Sequence, residues 1–307
     1  MKNVFLIIFI CAVVVNGSTD AVCSICGVVS SGAMRYRWAS LLAAVMNFLG
    51  LSFFAFLFPS LSETMGTFGG GSAEEGIAVL LAVVIWASFA WCVSVPTSES
   101  HGLIAATAGV FLAKTGRLQW NAIVISIFGA ITSAVFGALF AGVVSSWLKN
   151  KKIRGRAGVI AGCAASAFFH GAQDGQKFLS VGIAYSLVEK NVASVFFVAL
   201  IMFCGTLIGG RRIVSAVGEK MARLDYSSAI SSDLGCALSL LVLTLMGVPV
   251  STTHTKTCAI AGSAAMSGDK IDIKELALII MGWILTIPSC ILLAFSITKT
   301  GFLGYIC

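Results

Sequence analysis

The stretch NGSTDAVCS, residues 16–24, follows twelve uncharged, mostly branched or aromatic residues, VFLIIFICAVVV. Met1-Lys2-Asn3 and an apolar run of that length would also suit a secretory signal peptide. A second copy of the motif points elsewhere. HGAQDGQKF, residues 170–178, repeats Gly17 and Asp20 as Gly171 and Asp174, an offset of 154 positions. PTSESH (96–101) and PVSTTH (249–254) then pair Pro96, Ser98 and His101 with Pro249, Ser251 and His254 at an offset of 153. The same offset sets Ala106, Ala108 and Gly109 against Ala259, Ala261 and Gly262. Two unrelated polar motifs recur in the same order, so the N-terminal segment is expected to open a duplicated fold rather than to be a leader.

Composition sets the class. Of 307 residues, 58% are hydrophobic and 11% charged, whereas soluble domains carry roughly 25% charged residues. Apolar stretches near 37–60, 76–95, 120–148, 191–210, 228–248 and 273–298 are long enough to span a bilayer. No strand-length alternation appears, which excludes a barrel. The expectation is an all-α polytopic membrane protein with two inverted-topology repeats, broken or re-entrant helices and roughly 8–12 membrane segments. Residues 1–148 would form the first repeat, 149–156 (KNKKIRGR) a basic cytoplasmic linker and 157–307 the second repeat. The runs 3–32 and 157–189 exceed one straight span, and each is expected to break at its Gly-x-x-Asp. A net charge of +7 spread over short loops reads as a topology signal, with no nucleic-acid partner. Ten scattered cysteines give neither a disulfide framework nor a metal site, the Cys23–Cys26 spacing included.

The loop at 60–75 carries Glu63, Glu74 and Glu75 without Lys or Arg. Its counterpart, 211–223, holds Arg211, Arg212, Lys220 and Arg223. Equivalent loops of opposite charge belong on opposite sides of a membrane, the basic one cytoplasmic. Ile213, Val217, Met221 and Leu224 form one helical stripe, which predicts a segment lying along the membrane surface.

Intramembrane carboxylates are costly enough that Asp20 and Asp174 read as functional. Ionised inside a bundle, each needs a cation, and Na⁺ or H⁺ is what a symporter supplies. The hydroxyls of Ser98, Ser100, Ser251, Thr252 and Thr253 can donate to anion oxygens and offer oxygen to a hard cation. Lys177 suits either an anion or Asp174. His101 and His254 fit a proton carrier or a hairpin-fixing hydrogen bond. Glu99 has no acidic counterpart, because Thr252 stands there in the second half.

HGAQDGQK resembles the GANDxxK-type signature of the inorganic phosphate transporter (PiT) family. PTSESH and GVPVSTTHT resemble its paired hydroxyl motifs, and similarity continues through YRWASLLAAVMNFLG, GTLIGGRRIV and WILTIP. The resemblance implies a secondary active symporter that moves orthophosphate with Na⁺ or H⁺ by alternating access, is not an enzyme and carries no cofactor. Carried over, the substrate-binding set is Thr19, Ser98, Ser100, Gln173, Gln176, Lys177, Ser251, Thr252 and Thr253. The cation-coupling set is Asn16, Asp20, Ser98, Asp174 and Ser251, with Na⁺ at Asp20 and Asp174 the one metal envisaged. Its partners would be phosphate, a coupling cation and the lipid bilayer of the cell membrane, with homo-oligomer formation left open. The chain departs from the pattern at Thr19, Cys23, Gln173 and Lys256; losing amide oxygens weakens a Na⁺ site, which favours proton coupling or weakened Na⁺ dependence. The competing readings are a sulfate permease of the same fold, a passive anion channel and, remotely, an intramembrane Ser/His/Asp hydrolase.

Overall fold

The structure, a computed structural model, describes residues 1–149, 155–222 and 224–300. Most of the expected linker, and Arg223, lie outside the described residues. Among the described residues the regular structure is helical, apart from one isolated bridge between Ala222 and Ile271.

The first half comprises α1 (Lys2–Thr19), a 3₁₀ turn (Ala21–Ile25), α2 (Cys26–Ser30), α3 (Tyr36–Leu57), the short α4 (Ser60–Gly66), α5 (Ala73–Cys92), α6 (Glu99–Thr115) and α7 (Trp120–Leu148). The second comprises α8 (Arg156–Ala184), α9 (Val192–Ile208), α10 (Arg211–Ser215) with a π turn (Ala216–Lys220), α11 (Tyr226–Leu245), α12 (Thr252–Ser267) and α13 (Ile273–Lys299). The halves punctuate their helices alike. Ser72 and Asp225 cap the N-termini of α5 and α11 by accepting from the third residue on, Glu75 N and Ser228 N. Gly116 and Gly268, at φ +70° and +79°, end α6 and α12.

Six described helical runs are long and apolar enough to cross a membrane: Lys2–Ser30, α3, α5, α7, α11 and α13. A seventh joins α9 to the α10 segment across a 65° bend. Helices α6, α8 and α12 carry the polar motifs and pack inside this bundle. The chain is a multi-pass integral membrane protein.

The helix pairings survive exchange of the halves. α7 packs on α12 and α13 on α6; α3 packs on α8 and α9 on α1; α11 lies on α8 and α7 as α5 lies on α1 and α13. Glu74 stands in the first turn of α5, whereas Arg212 Nη1 donates to Cys92 O at 3.3 Å at the other end. A 20-residue helix, about 30 Å long, separates them. Reciprocally, Ser60 Oγ of the acidic loop donates to Thr244 O, at 3.2 Å, near the C-terminus of α11.

Two sequence expectations change. The first Gly-x-x-Asp run does break at Asp20, where α1 gives way to the 3₁₀ turn, but α8 runs unbroken through Gly171 and Asp174. Asp174 has His170 and Lys177 on its own helix face, at 3.2 and 2.8 Å, so its carboxylate is satisfied without opening the helix. The glycines serve close helix crossings instead. A Cβ on Gly17 would lie 2.8 Å from Met202 O of α9, and one on Gly205 of α9 would lie 2.6 Å from Val14 O. Gly171 of α8 and Gly50 of α3 meet in the same way, a Cβ on either running into the other helix's backbone at Asn47 or Phe168. Without a hydrophobic drive in lipid, such backbone approach is how membrane helices gain packing. The second change concerns the stripe Ile213, Val217, Met221 and Leu224. It exists, but it is buried against Val22, Cys26 and Val28 rather than laid on lipid.

Gly171→Ala is expected to destabilise the protein by about 1–3 kcal/mol, the usual cost of overpacking. Gly155→Ala, where a Cβ meets nothing within 4 Å, is expected to leave the thermal midpoint in detergent unchanged. Equal midpoints for the two variants would show that the crossing does not depend on Gly171.

Candidate functional site

The duplicated motifs converge in the middle of the bundle. Ser98 and Ser251, at the N-caps of α6 and α12, accept from His101 N at 3.3 Å and His254 N at 3.2 Å. Their side chains thus fix the two helix starts, which aim the positive ends of two helix dipoles at the same buried region.

Asp174 is the most connected residue there. Its Oδ1 accepts from Lys177 Nζ at 2.8 Å, and its Oδ2 accepts from Asn16 Nδ2 and Thr252 Oγ1, each at 3.1 Å. His170, 3.2 Å from Oδ2, is positioned by Asn47, whose Oδ1 lies 2.9 Å from His170 Nδ1. Lys177 Nζ also donates to Ser100 Oγ at 2.6 Å and Val250 O at 2.5 Å. One ammonium thereby ties α8 to the start of α6 and to the strand of chain before α12.

Asp20 is poorer in partners. Its Oδ1 accepts from Thr253 Oγ1 at 2.8 Å, and its Oδ2 has no hydrogen-bond partner. Beside it, Thr19 Oγ1 donates to Glu99 Oε1 at 2.5 Å, while Glu99 Oε2 and Asn16 Oδ1 are likewise without partners. Asn16, Asp20, Glu99, Ser100, Asp174, Lys177, Thr252 and Thr253 are all buried, none more than 2% exposed. The locus is closed to both sides in this conformation.

Of the residues singled out from sequence, the fold brings together Asn16, Thr19, Asp20, Ser100, Asp174, Lys177, Thr252 and Thr253. Ser98 and Ser251 border them as caps. Gln173 and Gln176 turn away, Gln173 Nε2 donating to Val248 O at 3.1 Å and Gln176 Nε2 to Ala172 O at 3.0 Å on its own helix. His101 and His254 stack edge to face at 5.1 Å, with His254 3.8 Å from the Trp283 ring. They open into an apolar groove with Ile127, Ile131, Ile284 and Pro288. Sequence reasoning gave no role to His170 and Asn47; their signal was a histidine four residues before Asp174, one helical turn away.

A second buried ion pair stands apart. Lys256 bonds Asp233, both within 2% of full burial, among the thiols of Cys23, Cys26, Cys163 and Cys236. At the repeat offset of 153 these positions correspond to Leu103 and Leu80, both in the apolar core. No group of three or more His, Cys, Asp or Glu side chains among the described residues is arranged to hold a metal ion.

The profile of the Phosphate transporter family matches residues 16–159 and 149–294. A "Probable low-affinity inorganic phosphate transporter" of Rhizobium meliloti (strain 1021) is 30% identical over 306 residues, covering 91% of this chain and 90% of that protein. A protein of Bacillus subtilis (strain 168) with the same description is 30% identical over 312 residues, with 92% of each covered. Among solved structures, one titled "The sodium-dependent phosphate transporter" superposes with a TM-score of 0.84 at 18% identity, over 98% of this chain and 99% of that one.

Removing one member of a buried ion pair strands the other charge, at about 3–5 kcal/mol, whereas replacing both with apolar groups is often neutral. Asp233→Leu and Lys256→Leu singly are therefore expected to lower the thermal midpoint sharply, and the double variant, which copies Leu80 and Leu103, to recover most of the loss. A double variant no better than the worse single would show that the pair is not replaceable by packing.

Proposed function

The chain belongs to the phosphate transporter family, and from that premise we propose that it is a secondary active symporter carrying inorganic phosphate, coupled to Na⁺ or H⁺, across the cell membrane. The observation that supports this most is the meeting, at one buried locus, of three carboxylates, one ammonium and two helix N-termini contributed by both halves. An anion would be received by Lys177, by the hydroxyls of Ser100, Thr252 and Thr253, and by the N–H groups opening α6 and α12. A cation would be received by the oxygens around Asp20.

The binding of a tetrahedral anion here requires rearrangement of bonds that the protein now makes to itself. Lys177 holds Asp174, Ser100 and Val250, and Thr252 and Thr253 are spent on Asp174 and Asp20. Phosphate can replace these donors' acceptors with its own oxygens, and its P–OH can in turn donate to a carboxylate, which sulfate at neutral pH cannot do. Because Thr252 and Thr253 lie on one helix start but reach the aspartates of opposite halves, occupancy would be felt by both halves at once. Alternating access then follows if the halves are inverted copies. The positions of Arg212 and Ser60 at the ends of α5 and α11 support that relation, and the exchangeable helix pairings support the duplication itself.

Reconstituted in liposomes, the protein is expected to accumulate labelled phosphate under an imposed Na⁺ or pH gradient, and excess sulfate to compete poorly. Equilibration without accumulation would mean a passive channel, and strong competition by sulfate a sulfate permease. Asp20→Asn and Asp174→Asn are each expected to abolish concentrative uptake while still reaching the membrane. Normal uptake in either variant would remove that carboxylate from the mechanism.

Accessibility tags near Glu74 and near Arg212 are expected to report opposite sides of the membrane, the latter cytoplasmic. Labelling from one side would make the duplication parallel and end the inverted-repeat account.

A further inference from the structure

The two halves of the site differ in charge by a pattern that the alignment of the repeats exposes. In the second half, Asp174 has Lys177 three residues on, and Thr252 donates to it. In the first half the position equivalent to Lys177 is Cys23, and the position equivalent to Thr252 is Glu99. A cation has been lost and a carboxylate gained beside Asp20. Glu99 follows the N-cap of α6 and neighbours Asp20, Thr19 and Asn16. A carboxylate cannot donate to Asp20 as Thr252 donates to Asp174.

The consequence is visible in the hydrogen bonds. Asp20 Oδ2, Glu99 Oε2 and Asn16 Oδ1 are three buried oxygens that accept no well-formed hydrogen bond, on residues 1%, 2% and 1% exposed, with the Glu99 backbone N–H near Asp20 and the Asn16 amide near Glu99 as their neighbouring donors. Ion pairs serve the other buried carboxylates, Asp174 through Lys177 and Asp233 through Lys256. Among the described residues no Lys, Arg or His comes within ion-pair distance of Asp20 or Glu99. Buried charge and buried acceptors left without partners are each costly, and a cation among them answers both.

We propose that Glu99 is a ligand of the coupling cation, and that Asp20, Glu99 and Asn16, with the remaining lone pairs of the Thr19 and Thr253 hydroxyls, form a hard-oxygen site for Na⁺. This rests on the symporter reading and assigns its coupling ion. It also reverses the inference from the altered motif alone. Thr19 stands where the family pattern has an amide or imidazole, but its hydroxyl holds Glu99 at 2.5 Å, so the oxygen lost from α1 is supplied by α6. One Na⁺ between two carboxylates leaves a single negative charge, which faces Lys177. Cation and anion sites are then adjacent and joined through Thr252 and Thr253.

The test has two readouts on the full chain. The first is the thermal midpoint in detergent, titrated with NaCl against choline chloride at constant ionic strength and without phosphate. The second is the Na⁺ concentration giving half-maximal phosphate uptake in proteoliposomes. Wild type is expected to be stabilised by Na⁺ but not by K⁺ or Mg²⁺. Glu99→Gln and Glu99→Ser are expected to need roughly tenfold more Na⁺ in both assays, the loss of one charged ligand. Glu99→Asp should stay within about threefold of wild type, and the KM for phosphate at saturating Na⁺ should hardly move. Should the neutral variants not fold, Thr19→Val, which releases Glu99, is expected to shift the Na⁺ midpoint in the same direction. An unchanged Na⁺ midpoint in every variant that folds, stabilisation by Mg²⁺ instead, or uptake driven by a pH gradient alone would overturn the proposal. Failure of wild type to accumulate phosphate under any gradient would instead sink the transporter reading, while Na⁺-specific stabilisation would still judge Glu99.

Discussion

A carboxylate buried in a membrane bundle has to find its compensating charge and donors inside the protein, and the arrangement around Asp174 is organised by that need. Its two oxygens draw in an ammonium and an imidazole from α8, an amide from α1 and a hydroxyl from α12. Three elements far apart in the chain are held together by one side chain. Because Lys177 reaches on to Ser100 and Val250, the starts of both hydroxyl-bearing helices are fixed relative to α8. The same polar groups that tie the bundle are those the proposed anion site would use.

The caps and glycines serve the same end by other means. Ser98 and Ser251 hold the starts of α6 and α12, which sets both helix starts beside the carboxylates. Gly17 and Gly171 let α1 and α8 approach α9 and α3 closely enough that Asp20 and Asp174, three residues further on, reach the shared centre. Packing and electrostatics are set within one four-residue motif.

That motif made the duplication readable, since Gly and Asp recur 154 positions apart and a second motif repeats at nearly the same offset. The residues placed at the centre, Lys177, Ser100, Thr252 and Thr253 among them, were legible because their types have few uses in lipid. What misled was local reasoning. Glycine beside aspartate reads as a helix break, yet α8 is continuous because Asp174 finds partners one turn away on its own surface. The stripe at 213–224 has the periodicity of a surface helix, and periodicity cannot tell a lipid face from a protein face. Glu99 was visible as an oddity, but its connection to Thr19 spans 80 positions, and no spacing rule within a helix or hairpin reports that.

The pair Asp233–Lys256 breaks the likeness between the halves more deeply than any loop does. Here one half joins α11 to α12 through a directional ionic bond, where the other joins α5 to α6 through leucine packing, which tolerates sliding. The two halves are therefore held by different physics at one equivalent place: parting α11 from α12 there would strand two buried charges, whereas parting α5 from α6 would only expose apolar surface.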